Sequence, residues 1–390
     1  MIRSTDELKQ LFLLDPNVTY LNFGSFGATP VPVFQKYQAF QRALETSPVQ
    51  FITVRTPALL KVSREALAGF VHCHADDLVL VSNPSYAVNT IAKSLHLQPG
   101  DEILTTNLEY GACDRAWHLV CGQSQSRYIQ QPVTLPLTDE DTFVDELFAG
   151  VTSRTKIIFI SHITSTTALI LPVKKVIEKA KTLGIPVFID GAHAPGHIDL
   201  NLEDLNVDYY TGACHKWMMT PKGSSFMYVK KSLQCDIFPL IVSWGYEAAK
   251  PSHSRFLDWH EMSGTLDYSA RLCIPEAIAF REKYHWNEVA SDSRKLAYDN
   301  ASTFAGILNS QLLAPIDERF IGQMISVPIR TDNPDLLYQT LVHGYKIEIP
   351  VMPHNDVVYL RYSINGFNSQ HDLDRLYEAI KEIKKTGLLY

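Results

Sequence analysis

The sequence predicts an α/β protein: a mostly parallel sheet wound by helices on both faces, followed by a smaller α+β part. Three observations carry this. Short, almost wholly apolar runs alternate with helical patterns from residue 77 to 230, the signature of strands buried on both faces and joined by helical crossovers. Several of these runs end abruptly in polar residues at the side where ligands bind in open α/β sheets. Beyond Pro275 the pattern changes to long helices followed by short strands.

Taken in order, residues 5 to 14 (TDELKQLFLL) predict a short helix capped by Thr5 or Asp6, with Leu8, Leu11 and Phe12 on one face. Tyr20 to Pro32 is rich in Gly and Pro, with Asn22, Ser25 and Phe26 interleaved, and reads as a turn. Apolar residues fall at helical spacing from Leu59 to Phe70, and Asp77 to Val81 then gives a buried-strand run. Asn83 can cap the next helix, Pro84 suits its first position, and Val88, Ile91, Ala92 and Leu95 repeat along its face. A strand running into such a helix start leaves free N–H groups at the positive end of the dipole, a setting that binds phosphate.

Glu102 to Thr106 is the next strand, followed by Asn107-Leu108-Glu109-Tyr110-Gly111-Ala112. Lys156 to Ser161 follows, running into His162 and Thr164-Ser165-Thr166. Val173 to Leu183 predicts a helix closed by Gly184. Ile185 to Ile189 then leads to Asp190 at a strand's carboxyl edge, where Gly191 lets the chain turn. Val207 to Thr211 delivers His215 and Lys216, followed by the breakers Pro221-Lys222-Gly223. Two neighbouring strands thus aim one carboxylate and one lysine at a common cleft. Past Pro275 we expect a long helix over roughly 275 to 310, a strand at Ile325 to Ile329, and a helix over 334 to 342. Strands near 346 to 351 and 357 to 362 and a charged terminal helix complete the chain.

A lysine beside a strand-end carboxylate is the combination pyridoxal phosphate requires: the amine forms a Schiff base and the aspartate keeps the ring nitrogen protonated. The blocks YLNFGSFGATP, NLEYGACDRAW, SHITSTTALILPV, FIDGAHAPG, TGACHKWMMTPKG and LRYSINGFN, spanning Tyr20 to Asn368, carry a wider likeness. The chain resembles the fold-type I pyridoxal-phosphate enzymes of aminotransferase class V, and within them the isopenicillin N epimerase-like branch, next to the cysteine desulfurases. The resemblance implies pyridoxal 5'-phosphate bound by Asn83, Pro84, Ser85, Tyr110, Ser165, Asp190, His193, His215, Lys216 and Thr265. It gives catalytic roles to Lys216, Asp190, His193 and Tyr110, with Tyr110 stacking where desulfurases keep a histidine and His193 reaching the ring hydroxyl. Ser165 stands where desulfurases have asparagine, and Pro84 and Leu266 depart from the usual hydroxyl or small residue and arginine. The Tyr20–Pro32 loop, with Asn22 and Ser25, becomes part of the substrate mouth. Gly264-Thr265 implies a homodimer in which each copy completes the other's site.

Arg361 is the sharp residue of the C-terminal part. A guanidinium in an otherwise apolar strand needs an anionic partner, and two parallel hydrogen bonds to an amino acid's α-carboxylate supply one. A structural salt bridge is the competing explanation. We expect a large cofactor-binding domain over 20–270 and a small domain formed by 1–19 with 271–390. Epimerisation or another class V aminotransferase activity on an amino acid is the expected chemistry. The alternatives are β-elimination, as in a cysteine desulfhydrase or C–S lyase, and a catalytically silent binding protein on the same fold. Persulfide formation is disfavoured because no cysteine follows Cys273.

Composition narrows the partners. With 390 residues, 46% hydrophobic and 20% charged, the chain can bury a large core. A formal charge of −7 offers no general attraction to nucleic acid or anionic lipid. Six cysteines without a CxxC pair point to reduced thiols and a cytoplasmic protein. No run reaches the ~18 apolar residues of a membrane span. His193 and His197 flank Pro195, and His72-Cys73-His74 lacks a partner pair, so no metal site is expected.

Overall fold

Alternate side chains of a strand face opposite ways, so a strand that is apolar throughout needs cover on both faces. The computed structural model, which describes residues 4–390, provides it. Its central sheet has seven strands: β1 (Leu78–Val81), β2 (Glu102–Thr106), β3 (Arg127–Gln131), β4 (Thr155–Ser161), β5 (Val187–Gly191), β6 (Tyr209–Ala213) and β7 (Ser225–Val229). Their spatial order is β1-β7-β6-β5-β4-β2-β3. Only β7 runs against its neighbours. β3, at one edge, is the strand of this sheet with no buried residue, as its sequence RYIQQ requires.

The two faces bury separate cores. Leu78, Leu80, Ile158, Ile160, Val187 and Ile189 face one cluster, joined by Val176, Ile177 and Ala180 of the helix Val173–Thr182. Val79, Val81, Ile157, Phe159 and Phe188 face the other, covered by helices α1 (Pro84–Ser94) and α2 (Gly111–Ser124). α1 buries Val88 and Ile91 there, each worth about 1.5–3 kcal/mol over exposure. Ile91→Asp would place an unpaired charge in this core and undo the cover.

Register sets the site. Ser161, Asp190 and Thr211 stand side by side across β4, β5 and β6 at their carboxyl ends. Beyond the sheet, β8 (Met324–Ile329), β9 (Val351–His354) and β10 (Val357–Ser363) form an antiparallel sheet in the order β9-β10-β8, with Arg361 opposite Ser326. Among the described residues no helix is long and apolar enough to cross a membrane.

Several boundaries differ from expectation. The first helix is Thr5–Lys9, capped by Ser4 through a box with Glu7 rather than by Thr5 or Asp6. It stops early because Phe12 leaves to pack against Phe280, Trp286 and Phe367. The expected 275–310 helix is two, Ile274–Lys283 and Trp286–Ile307, broken where His285 adopts φ 49°. The 334–342 helix ends at Gln339 and runs on as a wider turn over Thr340–Gly344. The 346–351 strand is divided: Ile347–Glu348 pairs in parallel with Thr19–Tyr20, and Val351 begins the antiparallel pairing with β10.

Candidate active site

Asp190 stands one residue before the end of β5 with 4% of its surface exposed. One oxygen accepts from the Ala192 N–H at 3.0 Å, the other from the Cys113 thiol at 3.4 Å. Burial pushes its carboxyl up, while the Ala192 N–H, the Lys216 cation and the Cys113 thiol act in the opposite direction. A carboxylate has about four acceptor positions, and a thiol is a weak donor, so this buried group is under-satisfied by its own chain.

Lys216 comes from the turn after β6. Its amine lies 3.0 Å from Nε2 of His193. Loss of hydration first, and then the Arg361 cation, push this amine down to about 7, against the pull of Asp190. His193 is itself buried and pushed well below the ordinary imidazole range by burial and by the same two cations. His215 faces elsewhere, its Nδ1 2.9 Å from the Ser224 carbonyl oxygen.

Gly27 brings the Tyr20–Pro32 loop against this turn. It has φ 63°, and a Cβ there would lie 2.4 Å from the His215 carbonyl oxygen and 2.7 Å from that of Lys216. The same loop carries Asn22 and Ser25 to Arg361. Nη2 of Arg361 donates to Ser25 Oγ at 3.1 Å, and Ser25 Oγ donates to Asn22 Oδ1 at 2.5 Å. Nη1 donates to the backbone carbonyl of Ser165, and Nε has no partner. Arg361 is 1% exposed, and burial lowers its pKa to about 10. Among the described residues no carboxylate pairs with it, which removes the salt-bridge explanation.

The structure therefore gathers Asp190, His193 and Lys216, and joins Asn22, Ser25 and Ser165 to Arg361. Asn83 caps α1 as expected, accepting from the Tyr86 N–H at 2.8 Å, with Pro84 and Ser85 opening the helix. Tyr110 sits at the start of α2 with half its surface exposed, and Thr265 is exposed on the chain. A groove of about 750 Å³ near Asn309, Arg330, Asp356 and Tyr390 contains none of these residues.

One neighbour went unnoticed in the sequence. Glu109 is 1% exposed, hydrogen-bonded to Thr106 Oγ1 at 2.7 Å and Ser161 Oγ at 2.6 Å. Burial raises its carboxyl to about 8; the two hydroxyls oppose the shift, and Asp190 adds to it. The residues NLEYG gave no sign of this, because an acid in a polar turn usually faces water.

Fold and site define the class. Residues 20–376 match the family model for aminotransferase class-V, so the chain belongs to that family of pyridoxal-phosphate enzymes. It is 34% identical over 387 residues to an isopenicillin N epimerase of Amycolatopsis lactamdurans, covering 95% of this chain and 96% of that one. It is 23% identical over 413 residues to a putative L-cysteine desulfhydrase of Oryza sativa subsp. japonica, covering 96% and 84%. Its fold matches the cysteine desulfurase CsdA of Escherichia coli with a TM-score of 0.82 at 21% identity, covering 99% and 100%.

The site fits the cofactor these relatives imply. A protonated pyridine nitrogen would supply the donor that Asp190 lacks, and Lys216 offers an amine that gives up its proton near neutrality.

Proposed function

We propose that this enzyme epimerises an α-amino acid. The observation that carries the substrate class is Arg361, among the described residues a buried cation without an acidic partner, held by Ser25 and the Ser165 carbonyl; the isopenicillin N epimerase relative supports the reaction. Its charge and planar fork suit an α-carboxylate. Asp190, Lys216 and His193 would hold pyridoxal phosphate together with Tyr110 and Ser165, and Asn83, Pro84, Ser85 and Thr265 would serve the phosphate, while His215, turned to the Ser224 carbonyl, would act only through its place beside Lys216. When bound, the cofactor withdraws electrons from the substrate and makes bonds at Cα easier to break.

Lys216, near-neutral, takes the proton on its own side of the site. Inversion needs a second acid opposite, and half-exposed Tyr110 is the residue assigned that role. β-Elimination is the second reading, supported by the desulfhydrase relative and by its need for one base only. A catalytically silent binding protein would have no need of Lys216, a buried amine pushed down to about 7 with Asp190 pulling against that shift.

Two copies share their sites in this reading. Thr265 is exposed, and Val242 and Trp244 are 67% and 90% exposed, residues that a second copy would cover in this reading. In the same reading the domains are 20–270, and 1–19 with 271–390, of which residues 1–3 lie outside the described residues. Free cysteines throughout suit the cytoplasm.

The test is a panel of D- and L-amino acids incubated in deuterated water and analysed by chiral mass spectrometry. Epimerisation gives inverted substrate with deuterium at Cα. Release of ammonia with an oxo acid and the β-substituent would replace it with elimination. Sedimentation at dilute concentration checks assembly, and an active monomer would count against shared sites.

A further inference from the structure

We propose that Trp217 is a positioning residue that fixes the tautomer of His193, so that His193 presents an N–H donor rather than an acceptor to Lys216. Trp217 is the residue after Lys216 and is 2% exposed. Its Nε1 lies 3.5 Å from Nδ1 of His193. An indole nitrogen only donates, so Nδ1 of His193 is the acceptor and the proton of the neutral ring sits on Nε2. That nitrogen faces the Lys216 amine at 3.0 Å.

The indole is itself held. The ring of His197 stacks on Trp217, centroids 3.9 Å apart and planes at 23°. Nε2 of His197 accepts from the Gln323 N–H at 2.7 Å, which leaves its proton on Nδ1, donated to the His193 carbonyl at 3.2 Å. The contacts close a circuit: the His193 backbone holds His197, His197 holds the indole, and the indole holds the His193 side chain. Gly196, at φ 80°, lets the chain pass, since a Cβ there would lie 2.7 Å from the Trp217 carbonyl oxygen.

The two histidines are thus locked in opposite tautomers. His193 stays neutral because it is buried beside Lys216 and Arg361, with His197 and His215 adding to the effect. Its Nε2–H would meet an ammonium donor to donor, whereas a neutral amine accepts it. Of the groups facing Lys216, Arg361 from β10 and His193 therefore favour the neutral amine, and Asp190 from β5 and Cys113 from α2 favour the charged one. Trp217 tips this balance without touching the amine.

Neutron diffraction from deuterium-exchanged crystals of the holoenzyme tests the geometry. We expect deuterons on Nε2 of His193 and on Nδ1 of His197; a deuteron on Nδ1 of His193 overturns the proposal. Trp217→Phe keeps a ring against His197 and removes the donor. In that variant the pH midpoint of the Lys216-linked absorbance band should rise by about one unit, the scale of one hydrogen bond. An unmoved midpoint in folded Trp217→Phe also overturns the proposal. If the variant does not fold, the wild-type neutron map decides. The spectral arm rests on Lys216 being the condensing amine and the neutron arm does not, so failure of either assignment is distinguishable.

Discussion

The thiol of Cys113 donates to Oδ2 of Asp190 across 3.4 Å, tying α2 to the end of β5. Burial and the neighbouring Asp190 carboxylate push this thiol well above its usual range. It should therefore be inert, and iodoacetamide should label exposed Cys235 and spare Cys113 in the native protein. Cys113→Ala removes the donor. A hydrogen bond contributes about 0.5–1.5 kcal/mol net, so kcat should fall roughly 2- to 10-fold, with Cys113→Ser recovering part of it. Unchanged kcat in Cys113→Ala would show that the thiol does not help to position Asp190.

Lys216→Ala should abolish the borohydride-reducible bond to pyridoxal phosphate and reduce turnover by at least about 100-fold, the lower range for loss of a positioned proton-transfer group. Absorbance before and after reduction, followed by peptide mapping, reads it. A reduced adduct on any other lysine ends the assignment.

Glu109 makes stability depend on pH. Its folded carboxyl titrates near 8 whereas an unfolded glutamate titrates near 4.5, so the folded state holds a proton that the unfolded chain has already released. The contribution is therefore favourable at low pH and is lost as pH rises from about 4.5 through 8. Glu109→Gln keeps a neutral donor and acceptor between Thr106 and Ser161 without titrating. Calorimetric Tm against pH should fall less steeply for Glu109→Gln than for wild type in that window. Parallel curves would mean Glu109 is ionised in the folded protein.

What the sequence revealed follows from how local each signal is. The strands were legible because β1, β4 and β5 are apolar runs with sharp ends, and Asp190 and Lys216 because each closes or follows such a run. Arg361 stood out as a cation in an apolar strand. Glu109 did not, since its burial depends on Ser161, brought over by β4 beside β2. Trp217 drew no role from the sequence: its use depends on His197 and on Gln323, which belong to distant parts of the chain. Boundaries failed for the same reason. Phe12 ends its helix for the sake of contacts with residues near 280 and 367.

Arg361→Lys separates substrate recognition from architecture. Lysine preserves the charge but loses the planar two-point grip, and it cannot both donate to Ser25 and the Ser165 carbonyl and keep a fork free. A hydrogen bond to a charged group is worth about 1.5–3 kcal/mol, so kcat/KM should fall roughly 10- to 150-fold while the cofactor spectrum stays unchanged. Loss of the Ser25 and Ser165 contacts also loosens the Tyr20–Pro32 loop, so a lower Tm alone is no evidence for carboxylate binding. The deciding comparison pairs each amino acid with its α-amide on both proteins. Wild type should prefer the acid strongly and Arg361→Lys weakly, because only the acid offers a negative charge to the fork. Equal discrimination by the two proteins would remove the carboxylate from Arg361, and with it the assignment of an α-amino acid substrate.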